Sequence, residues 1–159
     1  MRQEPANRIA TEAMKAWKIT ASLILGIFWI VFVAAAVVFF FLKWPLWIIW
    51  IAFGTIVVAT YVFVFLIPKW RWRRWRYEVF EQEIYIQHGI LVVSRILVPM
   101  IRVQHVDTKQ GPILRKFNLA SVTISTAATT HEIPALIEAD ASALRDRIST
   151  LARVDEDDV

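Results

Sequence analysis

Two long runs without charge dominate the hydrophobic pattern. Ile19 to Leu42 and Leu46 to Ile67 contain no Asp, Glu, Lys, Arg, His, Asn or Gln. At 1.5 Å per residue they predict helices of roughly 36 Å and 33 Å, enough to cross a hydrocarbon core of about 30 Å with some tilt. In lipid the backbone must satisfy its own hydrogen bonds, so both runs are read as helices, joined by Lys43-Trp44-Pro45. Pro45 suits the first turn of the second helix, where no backbone donor is needed. Ala34 and Ala36 offer a cleavage-like pattern, but the apolar run continues past them to Leu42 and is longer than a signal core. The first helix is therefore read as a retained anchor.

After Arg76 the pattern changes to β. Tyr77–Phe80 predicts a short strand, and Glu83–His88 alternates, with Ile84 and Ile86 on one face and Tyr85 and Gln87 on the other. Ile90–Val98 reads as a strand rich in β-branched residues, interrupted by Ser94-Arg95, after a tight turn at Gly89, and Ile101–Lys109 as the next. Ile113–Phe117 predicts one helical turn, Leu119–Thr126 a strand, and Thr129–Ile133 a last short strand ending at Pro134. Asp140 is expected to cap a helix to about Ala152, with Leu144, Ile148 and Leu151 as its apolar stripe. No structure is assigned to residues 1 to about 16, and the acidic tail 154–159 is expected to be disordered.

Charge sets orientation. Arg2, Arg8, Lys15 and Lys18 precede the first helix, and Lys69, Arg71, Arg73, Arg74 and Arg76 follow the second, while the connection offers only Lys43. The positive-inside bias puts residues 1–18 and the C-terminal domain in the cytoplasm, as a multi-pass protein of the cell membrane. Trp17, Trp44, Trp47, Trp70, Trp72 and Trp75 fall near the expected interfaces. The whole chain carries a formal charge of +4, but from Tyr77 onward eight Lys and Arg face twelve Asp and Glu, a balance of −4. The basicity therefore belongs to the juxtamembrane segments, which favours anionic lipid headgroups over nucleic acid. The sequence has no cysteine, which removes disulfides, thiolate metal sites and a Cys nucleophile.

The stretch Ile96-Leu97-Val98-Pro99-Met100-Ile101-Arg102-Val103-Gln104-His105-Val106-Asp107, continued by Gln110-Gly111-Pro112-Ile113-Leu114-Arg115-Lys116-Phe117-Asn118-Leu119-Ala120, resembles the bacterial pleckstrin-homology-like (PH-like) family. That family carries a similar P-x-x-R-I-Q-x-V strand and Q-x-P-L-x-R-x-F-G-L-A connection. Val103 stands here for the usual Ile and Asn118 for the usual Gly, and Asn tolerates the left-handed turn. Two helices before one such domain resemble the YdbS-like membrane proteins. The resemblance implies an α+β membrane protein: a transmembrane helical hairpin (19–42, 46–67), a basic aromatic segment (69–76), and a PH-like antiparallel β-sandwich or barrel (77–153) closed by a C-terminal α-helix. It also implies a binding or scaffolding module, often beside a larger multi-domain partner, and no catalytic motif.

Candidate chemistry is sparse. His88, His105 and His131 fall on different predicted elements without metal-ligand spacing, and no metal or cofactor is expected. Ser94, His105 and Asp107 can be written as a triad, but nothing resembles a nucleophile elbow. The four glycines allow no phosphate loop. The expected first strand–strand loop, Glu81-Gln82-Glu83, is acidic, so the inositol-phosphate binding of eukaryotic PH domains is not carried over. Arg102, Gln104, Arg115 and Lys116 are a candidate partner face. Lys69, Trp70, Arg71, Trp72, Arg73, Arg74, Trp75 and Arg76 are a candidate lipid-headgroup site. The favoured expectation is a non-enzymatic adaptor or scaffold that binds copies of itself or a related PH-like membrane protein. The alternative is a module that senses anionic lipid through 69–76.

Overall fold

The computed structural model describes residues 4–157, so Arg2 of the charge count and the end of the acidic tail, 158–159, lie outside the described residues. The chain forms two compact units, 17–69 and 1–16 with 70–159.

In the helical unit, α1 (Ala13–Phe41) and α2 (Leu46–Tyr61) carry the two apolar runs. A π-helical turn, Val62–Leu66, leads α2 into α3 (Ile67–Arg74). Pro68 accounts for that turn: it has no N–H to give the carbonyl four residues back, and the Ile67 N–H reaches Val62 O, one residue further than in an α-helix. The second run is thus continuous helix over Leu46–Arg74, where the sequence suggested an end at Ile67. Both helices are long and apolar enough to cross a membrane, and almost none of either apolar window is buried by protein. Between them Lys43 takes a left-handed φ of 52°. The Trp44 N–H bonds Phe39 O at 3.1 Å and the Lys43 N–H bonds Phe40 O at 3.2 Å, so the C-terminus of α1 is closed by a Schellman motif. Pro45 caps α2 from outside, and the helix starts at Leu46. The indole of Trp29 donates to Thr60 Oγ1 at 3.1 Å, and its ring packs edge-on against Phe32 and Phe53.

Among the described residues the second unit holds seven strands in two antiparallel sheets. Sheet A runs β1 (Asn7–Arg8), β2 (Arg76–Val79), β3 (Glu83–His88), β4 (Ser94–Pro99). Sheet B runs β5 (Val103–Lys109), β6 (Leu119–Thr126), β7 (Thr130–Ile137). A short helix α4 (Pro112–Lys116) links β5 to β6, and α5 (Glu138–Asp157) packs on β5, β6 and the 3₁₀ turn Met100–Arg102. Ile84, Ile86, Met100, Leu119, Val122, Ile124, Ile133 and Ile148 form the core. Both faces of β3 are covered: Tyr85 and Gln87 are buried as well as the two isoleucines.

The N-terminal segment, given no structure above, belongs to this unit. Asn7 pairs with Tyr77 and Arg8 with Arg76. Ile9, Ala13 and Ala16 are buried. The Ala10 N–H bonds Ala135 O at 3.3 Å, a carbonyl displaced from the ladder where Ala135, at φ 51°, interrupts the pairing of β6 and β7. β7 therefore runs through Pro134 to Ile137 rather than stopping before it.

Three further boundaries differ. Residues 89–93 are a hairpin loop and not strand, because the ladder closes at His88↔Ser94 and Gly89 turns the chain at φ 134°. Arg102 lies in the 3₁₀ turn and not on a strand, so it does not alternate with Gln104 on one sheet face. α5 begins at Glu138, whose N–H bonds Asn118 O at 3.0 Å, so Asp140 is in its first turn and not its cap; the helix continues to Asp157, into the tail expected to be disordered.

Candidate functional site

Asn118 sits at φ 52°, so the left-handed turn written Gly in the family motif is kept by Asn. Gln110 Nε2 donates to Leu119 O at 3.0 Å and to Glu138 Oε2 at 3.2 Å, tying the β5–β6 connection to the start of α5. The second half of the motif that carries the resemblance, Gln110–Ala120, therefore closes the fold.

The three histidines are apart. His88 stacks on Trp75, His131 Nε2 meets Thr129 Oγ1 at 2.9 Å, and His105 is exposed on β5. Ser94 lies in sheet A, while His105 and Asp107 lie in sheet B. Among the described residues no three His, Cys, Asp or Glu side chains are grouped to hold a metal. Arg102 and Gln104 border one groove of about 520 Å³ with Leu97, Ile101 and His131. Arg115 and Lys116 do not join them; they sit on α4, past the other end of β5. The acidic β2–β3 loop opens on a cleft of about 710 Å³ lined by Glu4, Glu78, Glu81 and Glu83.

The basic aromatic stretch divides into two parts. Trp72, Trp75 and Arg76 are committed to the domain. The Trp72 indole donates to Ala10 O at 3.0 Å and lies under the Arg8 guanidinium at 5.8 Å. Trp75 is buried and stacks on His88 with centroids 5.2 Å apart and planes at 23°. Arg76 pairs with Glu4 at 3.2 Å and donates to Pro5 O at 3.4 Å. Trp70, Arg71, Arg73 and Arg74 are exposed, as is Lys69 before them. Trp70, Arg73 and Arg74 border a concavity of about 410 Å³ together with Ile90 and Leu91 of the β3–β4 loop. Sequence reasoning missed those two loop residues. The available signal was an apolar run starting immediately after a glycine turn.

The comparisons agree with this architecture. The family described as bacterial PH domain matches residues 18–152, which takes in the helical hairpin and the domain but not β1. The chain belongs to that family. It is 50% identical over 159 residues, the full length of both chains, to the UPF0699 transmembrane protein YdbS of Bacillus subtilis (strain 168). No solved structure matches the chain. Family and helices together make this a membrane protein with an α+β layout.

Proposed function

We propose that this bacterial PH protein is a non-enzymatic, membrane-anchored binding module that reads the anionic surface of its own membrane through Trp70, Arg73 and Arg74. One observation carries this: the neighbours of these three residues are locked into the domain, so the exposed guanidiniums and indole are held in place directly after an apolar span. A basic side chain close to an anionic leaflet contributes on the order of 1 kcal/mol, and an indole settles at the headgroup level. The pairing of β1 with β2 supports a hairpin with both ends on one side, since residues 7–8 and 76–77 share a sheet. The Lys and Arg flanking both apolar runs support the cytoplasm as that side.

Thermal unfolding of the full chain in mild detergent tests this. Added phosphatidylglycerol raises Tm and phosphatidylcholine does not, because a ligand that binds the folded state stabilises it by mass action. The double variant Arg73→Gln/Arg74→Gln loses the difference. Equal shifts from the two lipids would overturn the proposal.

A second reading, an adaptor for a protein partner, is favoured by β4. It is one of the two outer strands of sheet A, and exposed Leu97 and Ile101 stand beside the groove that holds Arg102 and Gln104. An extended segment of a second copy or of a related membrane protein could add to that edge. Native mass spectrometry after gentle extraction checks it: a stoichiometric protein partner supports it, and a lipid-loaded monomer removes it.

A further inference from the structure

The β3–β4 loop is the least explained part of the surface. Ile90-Leu91-Val92-Val93 are four consecutive apolar residues in that hairpin loop. Leu91 is 84% exposed and Val92 81%. Such a run exposed to water disfavours solubility unless something covers it.

The loop is not loose. Gly89 turns it at φ 134°, and a Cβ there would lie 1.9 Å from Val92 O. Only glycine lets the chain fold back this tightly. His88, the last residue of β3, is stacked on Trp75. Arg74 Nη1 donates to Leu91 O at 3.4 Å. The loop is therefore fastened to the residues that follow the second apolar span, and its exposed tip shares a concavity with Trp70, Arg73 and Arg74.

We propose that Leu91 and Val92 form a wedge that inserts into the membrane on which Trp70, Arg73 and Arg74 rest, with the two guanidiniums at the headgroups and the two aliphatic side chains among the upper acyl carbons. The inference rests on the placement of Trp70–Arg74 at the membrane surface made above, and adds a depth-setting element to it. The occupant is lipid and not a second protein for two reasons. The apolar tip shares its concavity with Trp70, Arg73 and Arg74, which follow the second apolar run in the chain. Its charged border is cationic, which suits an anionic leaflet. The wedge fixes a third point of the domain on the bilayer, beyond the two chain connections at residues 16 and 70.

The sequence has no cysteine, so a single one can be labelled cleanly. Full-length Leu91→Cys, Val92→Cys and Glu81→Cys chains are labelled with an environment-sensitive fluorophore and reconstituted into vesicles of phosphatidylcholine, alone or with phosphatidylglycerol. Lipids carrying a spin label on the acyl chain are then added as quenchers. Position 81, exposed in the loop at the other end of β3, is the control. The wedge requires blue-shifted emission at 91 and 92 and loss of most of it to the lipid quencher, with little change at 81. Water-like emission at 91 and 92 overturns it. Blue-shifted emission that the lipid quencher cannot reach also overturns it, and assigns the tip to a protein contact. The two proposals separate in the lipid series. Quenching at 91 that is the same with and without phosphatidylglycerol, where Arg73→Gln/Arg74→Gln has no effect on lipid preference, keeps the wedge and removes anionic-lipid reading. A preference for phosphatidylglycerol with the tip in water does the reverse.

Discussion

Ile9→Ala probes the least expected feature, the membership of the N-terminal segment in the C-terminal domain. Ile9 is 3% exposed, next to the two-residue strand β1 and to Ala10, whose carbonyl accepts the Trp72 indole N–H and whose N–H reaches β7. Truncating a buried isoleucine to alanine costs about 2–5 kcal/mol, depending on how far the site collapses. β1 is short and at the sheet edge, so it can shift, and the lower part of that range, about 2–3 kcal/mol, is expected. The unit has about a hundred residues. For that size each kcal/mol moves Tm by about 4–8 °C, which gives a fall of roughly 10–20 °C. The assay is thermal unfolding of the full chain in detergent by near-ultraviolet circular dichroism, with hydrogen exchange of the amides of 76–79 as a local readout. Leu91→Ala, at an 84% exposed position, is the control and leaves Tm nearly unchanged. A fall of less than about 2 °C for Ile9→Ala, with unchanged exchange in β2, would refute the reasoning.

Other expectations follow from single contacts. Gly89→Ala forces a Cβ into Val92 O at a left-handed φ, so it destabilises the loop by about 1–3 kcal/mol and speeds proteolysis within 89–93; unaltered cleavage would contradict the turn geometry. Burial, and then the nearby Asp140 charge, raise the Tyr77 phenol above its ordinary value of 10.0. A raised folded value means that the neutral form is favoured in the native state, so the contribution is full below about pH 10 and is lost as pH rises through the folded value. Melting temperatures measured from neutral to strongly alkaline pH fall less steeply in Tyr77→Phe than in the parent. The Glu4–Arg76 pair is half-open to water, so Glu4→Gln changes stability by less than about 1 kcal/mol in a denaturant titration.

Where the determinants are local, the sequence is explicit. The two apolar runs, the strand β6 and the left-handed turn at Asn118 each follow from residues adjacent in the chain. β1 could not be read, because its two residues owe their conformation to partners at 76 and 77, across the whole hairpin. α3 was hidden by Pro68, which usually ends a helix but is accommodated here by a π turn. Residues 90–93 are apolar and, Leu91 apart, β-branched, and so resemble a strand; only the register, closed at His88↔Ser94, leaves them in a loop. The candidate site shows the same split. The cationic-aromatic stretch is evident from composition. Which of its members are exposed depends on contacts to Ala10, His88 and Glu4, each remote in sequence.

The central claim, that Arg73 and Arg74 hold anionic headgroups, is tested most directly by electron spin resonance of spin-labelled lipids around the reconstituted full-length protein. The motionally restricted fraction is compared for phosphatidylglycerol and phosphatidylcholine, in the parent and in Arg73→Gln/Arg74→Gln. The account predicts a several-fold selectivity for phosphatidylglycerol in the parent that collapses toward unity in the variant. Equal restriction of the two lipids by the parent, or a selectivity that survives removal of both guanidiniums, would contradict it.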